Sequence, residues 1–323
     1  MADKREKRDI GLRAVSDART ARDRHKDRRI SGPVAIVAGG AIFLTILTAW
    51  LLASRSLSEG QKELLAQQRA AVTTVGAEWF PLRDRIERLT LEAAGDYAGD
   101  LVAPRASSWD FRKLPGIYLR LRTAEAKDVA SLRARAAESG RDAFAACLLR
   151  EKSAYLDAVA RGAEDAGTNA DDQPWNLRQA YAATRVLEDA WADEVKGAKD
   201  ELRLRVFVQQ YEKAAHEDIP RAIEIVKRAQ FFLLVLDEDV PEAAALADGG
   251  AITAEALQQV PHPARVHLVD LKTNEVVVRL RRTAEGNFVF AGERGIRDPE
   301  ALAAVKRQVN NCALAQSVLA AIE

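Results

Sequence analysis

Between Arg29 and Arg55 the chain carries no ionisable side chain for 25 residues, Ile30 to Ser54. A helix rises about 1.5 Å per residue, so roughly 20 apolar residues cross a hydrocarbon core of about 30 Å. Pro33 to Leu52 supplies that length. A cleavable signal peptide has a shorter apolar region, about 7–15 residues, closed by a small-x-small site. The run TAWLLASRS, Thr48 to Ser56, offers no such site, so residues 31–54 are expected to remain as a transmembrane signal-anchor helix.

Charge sets the orientation. Seven Lys/Arg fall in the 20 residues before Ser31, against Arg55, Lys62 and Arg69 in the 20 after Ser54. Basic flanks stay in the cytoplasm. The N-terminus is therefore expected inside and the bulk of the chain on the periplasmic or extracytoplasmic side of a bacterial inner membrane. An Ala- and Arg-rich composition, with 35 Arg to 13 Lys, fits a GC-rich bacterial gene.

Residues 1–30 hold 11 Lys/Arg, 6 Asp/Glu and few large apolar side chains, the pattern of a disordered basic arm. No aromatic residue interleaves its charges to stack on bases, so nucleic acid is not the expected partner. The lipid bilayer is. Inside the span, Ser31, Ala35 and Gly39, and again Ala41, Thr45 and Ala49, repeat small residues at a spacing that lets two helices approach, one route to a homodimer.

Residues 55–101 read as a membrane-proximal amphipathic helical region. Leu65, Val72, Val75, Trp79, Leu82, Ile86, Leu89 and Ala93 step mainly by three and four, which suits either a coiled-coil stalk or helices packed on the following domain. Gln68 interrupts the seam. Pro81 removes a backbone donor in mid-stripe, where a kink or break is expected.

Residues 102–323 predict one α+β domain, a small and largely antiparallel sheet with packed helices. IYLRLR, Ile117 to Arg122, alternates like a half-buried strand, and Thr123 stands where it would cap the next helix. A helix carries Phe144, Cys147, Leu148, Tyr155 and Val159, followed by a polar loop over 162–174. Helix returns from Trp175 to about Glu217 and includes LRVFV, while Pro220 opens a new element. FFLLVL, Phe231 to Leu236, reads as a fully buried strand. Val266–Asp270 and Glu275–Arg281 flank a turn in which Asn274 takes positive φ, a hairpin. Gly286 and Asn287 turn into a third strand, Phe288–Phe290, and Pro299 opens a C-terminal helix.

Chemistry is sparse. P-loop, GxGxxG, GxSxG and SxxK patterns are all missing, so no cofactor is expected. His262 and His267 are five apart, which in one strand puts them on opposite faces, and they read as surface or edge residues; His216 reads as a solvated helix end. The candidate metal or catalytic cluster is Asp237, Glu238 and Asp239, with Glu242 nearby, because carboxylates after a buried strand offer oxygen ligands to hard cations. Two cysteines, Cys147 and Cys312, are the right number for one disulfide in an oxidising compartment, closing a loop whose chain entropy is worth about 4–5 kcal/mol.

Three functions fit these residues. The first is a single-pass envelope protein that tethers, scaffolds or binds an envelope partner. The second is an extracytoplasmic hydrolase or metal-dependent enzyme using the acidic loop after Leu236. The third is a transmembrane signalling protein with the arm as its inner element.

Overall fold

A computed structural model describes residues 32–139, 142–149, 174–246, 251–286 and 298–323, with backbone alone over 32–43 and 45–55. The arm 1–30, Tyr155 and Val159, most of the 162–174 loop and the strand Phe288–Phe290 lie outside the described residues. Two compact units divide the chain, Met1–Gly60 and Gln61–Glu323.

Helix α1, Gly32–Ala94, begins in the first unit. Among the described residues no helix is long and apolar enough to cross a membrane. The side chains of 31–54, Leu44 apart, lie outside those residues, and so do both small-residue series.

From Gln61 onward α1 belongs to the second unit. It runs without a break through Pro81, where the sequence suggests an interruption. Proline inside a helix costs about 3 kcal/mol. Trp79, 0% exposed, and Ile86, 2% exposed, flank it, and burial of each large apolar side chain is worth about 1.5–3 kcal/mol, enough to hold both turns in line. Polar anchors add to this: Gln61 Nε2 donates to the carbonyls of Val195 at 3.1 Å and Ala198 at 3.0 Å, and Arg83 reaches Glu188 at 2.8 Å. Gln68, read as a flaw in a seam, is itself buried.

The chain then forms β1, Leu101–Val102, and β2, Gly116–Arg122. Helices α2, Val129–Glu138, and α3, Phe144–Leu149, precede β3, Trp175–Asn176. Four helices follow: α4, Arg178–Thr184; α5, Asp189–Lys196; α6, Glu201–Lys213; and α7, Ile219–Arg228. Last come β4, Phe231–Asp237; α8, Pro241–Leu246; α9, Ala254–Leu257; β5, His262–Asp270; β6, Glu275–Ala284; and α10, Pro299–Ile322. The fold is mixed α+β.

Local chemistry sets several boundaries. Asp128, not Thr123, caps α2 by accepting from the Ser131 N–H at 2.8 Å, while Thr123 opens a short 3-10 turn. Asp200 caps α6 in the same way, through the Arg203 N–H. The β5–β6 turn is closed by Asn274 at φ 61°, and Asp270 accepts from the Lys272 N–H at 2.8 Å. Trp175 starts a strand rather than a helix, because it pairs with Ile117; the helix waits until Arg178.

The six strands among the described residues lie in the order β1-β6-β5-β4-β2-β3. The sheet is mixed rather than largely antiparallel: β2 pairs parallel with both β3 and β4, while β5 and β6 are antiparallel to their neighbours. Parallel neighbours need a long crossover, and the helices between Arg122 and Phe231 provide it. This also corrects the half-buried reading of IYLRLR. Parallel strands are covered on both faces, and β2 is buried from Gly116 to Leu121.

One face of the sheet packs Tyr118, Phe231, Leu233, Val235 and Val266 against Phe144 and Leu148 of α3 and Leu314, Ala315 and Val318 of α10. On that side Gly116 has no Cβ because the Phe231 ring occupies its place, 2.1 Å from where a Cβ would stand.

Candidate functional site

β2 and β4 run in register, with Arg122 opposite Asp237. Two positions' alternation along β2 puts Arg120 on the α10 side. Its guanidinium grips both oxygens of Asp237, Nε to Oδ2 at 2.7 Å and Nη2 to Oδ1 at 2.8 Å, and Nη1 donates to Asn311 Oδ1 of α10 at 2.6 Å. His262 Nε2 lies 3.1 Å from Asp237 Oδ1, and Asp142 stands 3.7 Å from Arg120. Tyr118 donates to Asp142 at 2.6 Å. The side chains of Arg120, Asp142, Asp237 and His262 are all 3% exposed or less.

Burial by itself would raise the Asp237 carboxyl; the Arg120 charge and the bonds from His262 and Arg120 outweigh it and hold the group down at about 2. Burial pulls the Arg120 guanidinium the other way, and the charges of Asp237 and Asp142 more than offset it. This is a closed, fully paired network, suited to locking β2, β4, β5 and α10 together.

The other two acidic candidates take different guanidinium partners. Glu238 accepts from Arg265 at 2.7 Å and Arg281 at 2.5 Å, which outweigh its burial and lower its pKa. Asp239 accepts from Arg122 at 3.1 Å. Asp237, Glu238 and Asp239 therefore do not converge on one point. Among the described residues no group of three or more His, Cys, Asp or Glu stands close enough to hold a metal ion.

His262 and His267 occupy opposite faces of β5, and both are buried, 0% and 5% exposed, rather than at a surface or edge. Among the described residues His267 Nε2 has no hydrogen-bond partner. Burial, with Arg279 and Arg265 adding repulsion, lowers its pKa to about 4, so it is neutral at pH 7. Cys147 of α3 is bonded to Cys312 of α10, with Cα atoms 5.2 Å apart. Cys312 directly follows Asn311, so the disulfide and the Arg120 network clamp the same stretch of α10.

A concave site lies elsewhere. A cavity of about 420 Å³ opens between α4, α5, α6 and α7. Ala182, Ala183 and Ala214 are among its lining residues. The Trp191 indole borders it but is 1% exposed, covered by Tyr211 stacked at 6.1 Å and Phe207 edge-on at 5.9 Å. Trp175 lines one side, its Nε1 donating to Gln179 at 2.9 Å.

The far wall is one face of the α6–α7 segment, with Gln210, Lys213, Asp218 and Arg221. Within this segment Ala214–Asp218 forms a π turn. Pro220 explains the turn: it has no N–H for the His216 carbonyl and its ring crowds that carbonyl, so the helix opens by one residue and continues. The helix that follows, α7, begins at Ile219 with Pro220 in its first turn, so a new element does open at Pro220. π turns are rare and recur at functional sites.

Arg185 at the rim pairs with Glu194. Lys213 and Arg221 have no hydrogen-bond or ion-pair partner among the described residues, and Asp218 is the one carboxylate lining the cavity. Sequence reading passed over this site because alanines in a helix look like mere helix formers.

Comparison with protein-family models, curated proteins and solved structures finds no match to this chain.

Proposed function

We propose that the protein is a single-pass, membrane-anchored binding protein of the bacterial envelope, held by residues 31–54 with the N-terminus inside, and that the cavity between α4 and α7 is where its extracytoplasmic domain takes its ligand. The observation that carries the binding role is the concave site itself, about 420 Å³, with the exposed cations Lys213 and Arg221 at its wall. The uncharged stretch Ile30 to Ser54 and its basic inner flank support the anchor. The Cys147–Cys312 bond supports an oxidising compartment for the domain.

A hydrolytic or metal-dependent role has less behind it, since Asp237, Glu238 and Asp239 each answer a different arginine. The test is in-cell photo-crosslinking from position 182 or 210 in the cavity, with position 205 on the exposed side of α6 as control, on membranes washed with alkaline carbonate. A specific adduct from the cavity positions in the membrane fraction supports the reading. Release of the protein by carbonate, or the same adducts from position 205, overturns it.

A further inference from the structure

Resting on the reading of residues 31–54 as a membrane span, we infer that the outward face of α6 lies in the phospholipid headgroup layer of the same membrane, so that the domain touches the bilayer as well as being tethered to it. Leu204, Phe207 and Tyr211 fill the inward side of α6 and are buried. At about 100° per residue, Leu202 and Val206 fall on the opposite side. They are 74% and 45% exposed, and Leu202 is the most exposed large apolar side chain among the described residues. Single exposed leucines are ordinary, but these two stand one turn apart and extend one ridge. Arg203 and Arg205, both exposed, stand on its two flanks. An apolar ridge between long basic side chains suits a helix lying in a membrane interface, where alkyl stems cover apolar surface and guanidinium groups reach phosphates.

The place of α6 in the second unit selects the occupant. Gln61 Nε2 donates to the carbonyls of Val195, Lys196 and Ala198, which fixes the α5–α6 turn beside Gln61. Near the other end of α6, Tyr211 donates to the Gln67 carbonyl. From Gln61 to Gln67 α1 rises about 9 Å, whereas Asp200 to Tyr211 is about 17 Å of helix. α6 is therefore inclined across α1, and its whole length stays beside the turns that follow Gln61. By chain connectivity alone, Gln61 comes seven residues after Ser54, at most about 25 Å of extended chain. Other parts of the domain stand further along: Arg133 of α2 holds Glu87, about 39 Å beyond Gln61 on α1.

The acidic groups at this end are turned toward the protein's own donors. Asp200 caps α6 through the Arg203 N–H, and Glu201 stands 4.0 Å from Arg205. A second copy of the chain is a poorer occupant, because two side chains one turn apart fall well short of the roughly 800 Å² per partner that a stable complex buries. A bilayer sets no such minimum. The span supplies the attachment, so a weak contact is made at high effective concentration.

The test places one full chain, oxidised at Cys147–Cys312, in each nanodisc of phosphatidylethanolamine and phosphatidylglycerol. A nitroxide is carried on one added cysteine, from Leu44→Cys, Val129→Cys, Leu202→Cys or Val206→Cys, and power saturation compares access of oxygen, which concentrates in lipid, with that of a water-soluble nickel chelate. Labels at 202 and 206 are expected to favour oxygen, as at 44 in the span, while 129 on α2 favours the chelate. Adding Leu202→Glu should abolish the oxygen preference of the label at 206. A chelate preference at 202 and 206 with an oxygen preference at 44 overturns the α6 contact and leaves the anchor standing. A chelate preference at 44 removes the anchor, and the contact with it. Protection at 202 and 206 that arises only in discs holding two chains gives the face to a second copy and overturns the lipid contact.

Discussion

Opening the Cys147–Cys312 bond is the perturbation with the largest expected effect on stability. The bond spans 165 residues. In the chain-entropy model, closing a loop of that length removes about 5 kcal/mol of unfolded-state freedom. Domains are typically stable by about 5–15 kcal/mol, so the reduced protein should be marginal. Both sulfurs are buried, at 2% and 6% residue exposure, so truncating them would add a packing loss to the entropic one. Reductant separates the two, because it opens the loop and leaves the thiols in place.

The assay is urea unfolding of the full chain in detergent, oxidised and reduced, followed by tryptophan fluorescence, with the Cys147→Ala/Cys312→Ala variant alongside. With a slope of about 3 kcal/mol per molar for a domain of this size, the midpoint should fall by about 2 M on reduction. The slope itself should rise, because the reduced unfolded chain expands further. The double variant should fall slightly further than the reduced protein. A midpoint shift on reduction below about 0.3 M, equivalent to about 1 kcal/mol, would refute the reasoning.

Other outcomes follow from the buried polar groups. Arg120→Met leaves Asp237 without its guanidinium and should destabilise the domain by about 3–5 kcal/mol, while adding Asp237→Leu should recover part of that loss; a double variant no more stable than the single would contradict the pairing, as read by urea midpoints. His267 is held neutral with its pKa lowered from 6.5 to about 4, so the stability it supports is complete above about pH 6.5 and is lost as pH falls toward 4. The wild type should lose about 3 kcal/mol across that window that His267→Leu does not lose, measured as midpoints at pH 7 and pH 4. Asp237 acts lower down: with its pKa depressed from 3.8 to about 2, its contribution disappears only between about pH 4 and 2. Gly116→Ala drives a methyl into the Phe231 ring and should cost about 1–3 kcal/mol in the same assay.

Where structure is decided locally, the sequence was a good guide. FFLLVL has six apolar residues in a row, and it is β4, buried on every residue. The turn at Asn274 was legible because Asn tolerates positive φ, as it does here at 61°; the Asp270 carboxylate, accepting from the Lys272 N–H, adds to it. LRVFV stayed helical within α6, as its charged flanks indicated.

What failed was long-range. Nothing in IYLRLR says that its neighbour is Phe231–Asp237 in parallel, over a hundred residues on, so Arg120 read as an outward residue when it is the partner of Asp237. The acidic triplet looked like a cluster because its members are adjacent in sequence. Their partners, Arg120, Arg122, Arg265 and Arg281, come from three other strands. Pro81 and Pro220 were both read as interruptions. Packing overrides the first, whereas Pro220 does stand in the first turn of a new helix, α7, after a π turn.

The central claim is that the second unit lies outside the cytoplasmic membrane, anchored by residues 31–54. The direct measurement is thiol trapping in intact cells combined with protease added from outside. Expected are a chain whose Cys147 and Cys312 resist alkylation until reductant is added, and a domain cleaved by external protease with only the N-terminal arm protected. Freely alkylated cysteines together with a domain protected until the cells are lysed would contradict the claim.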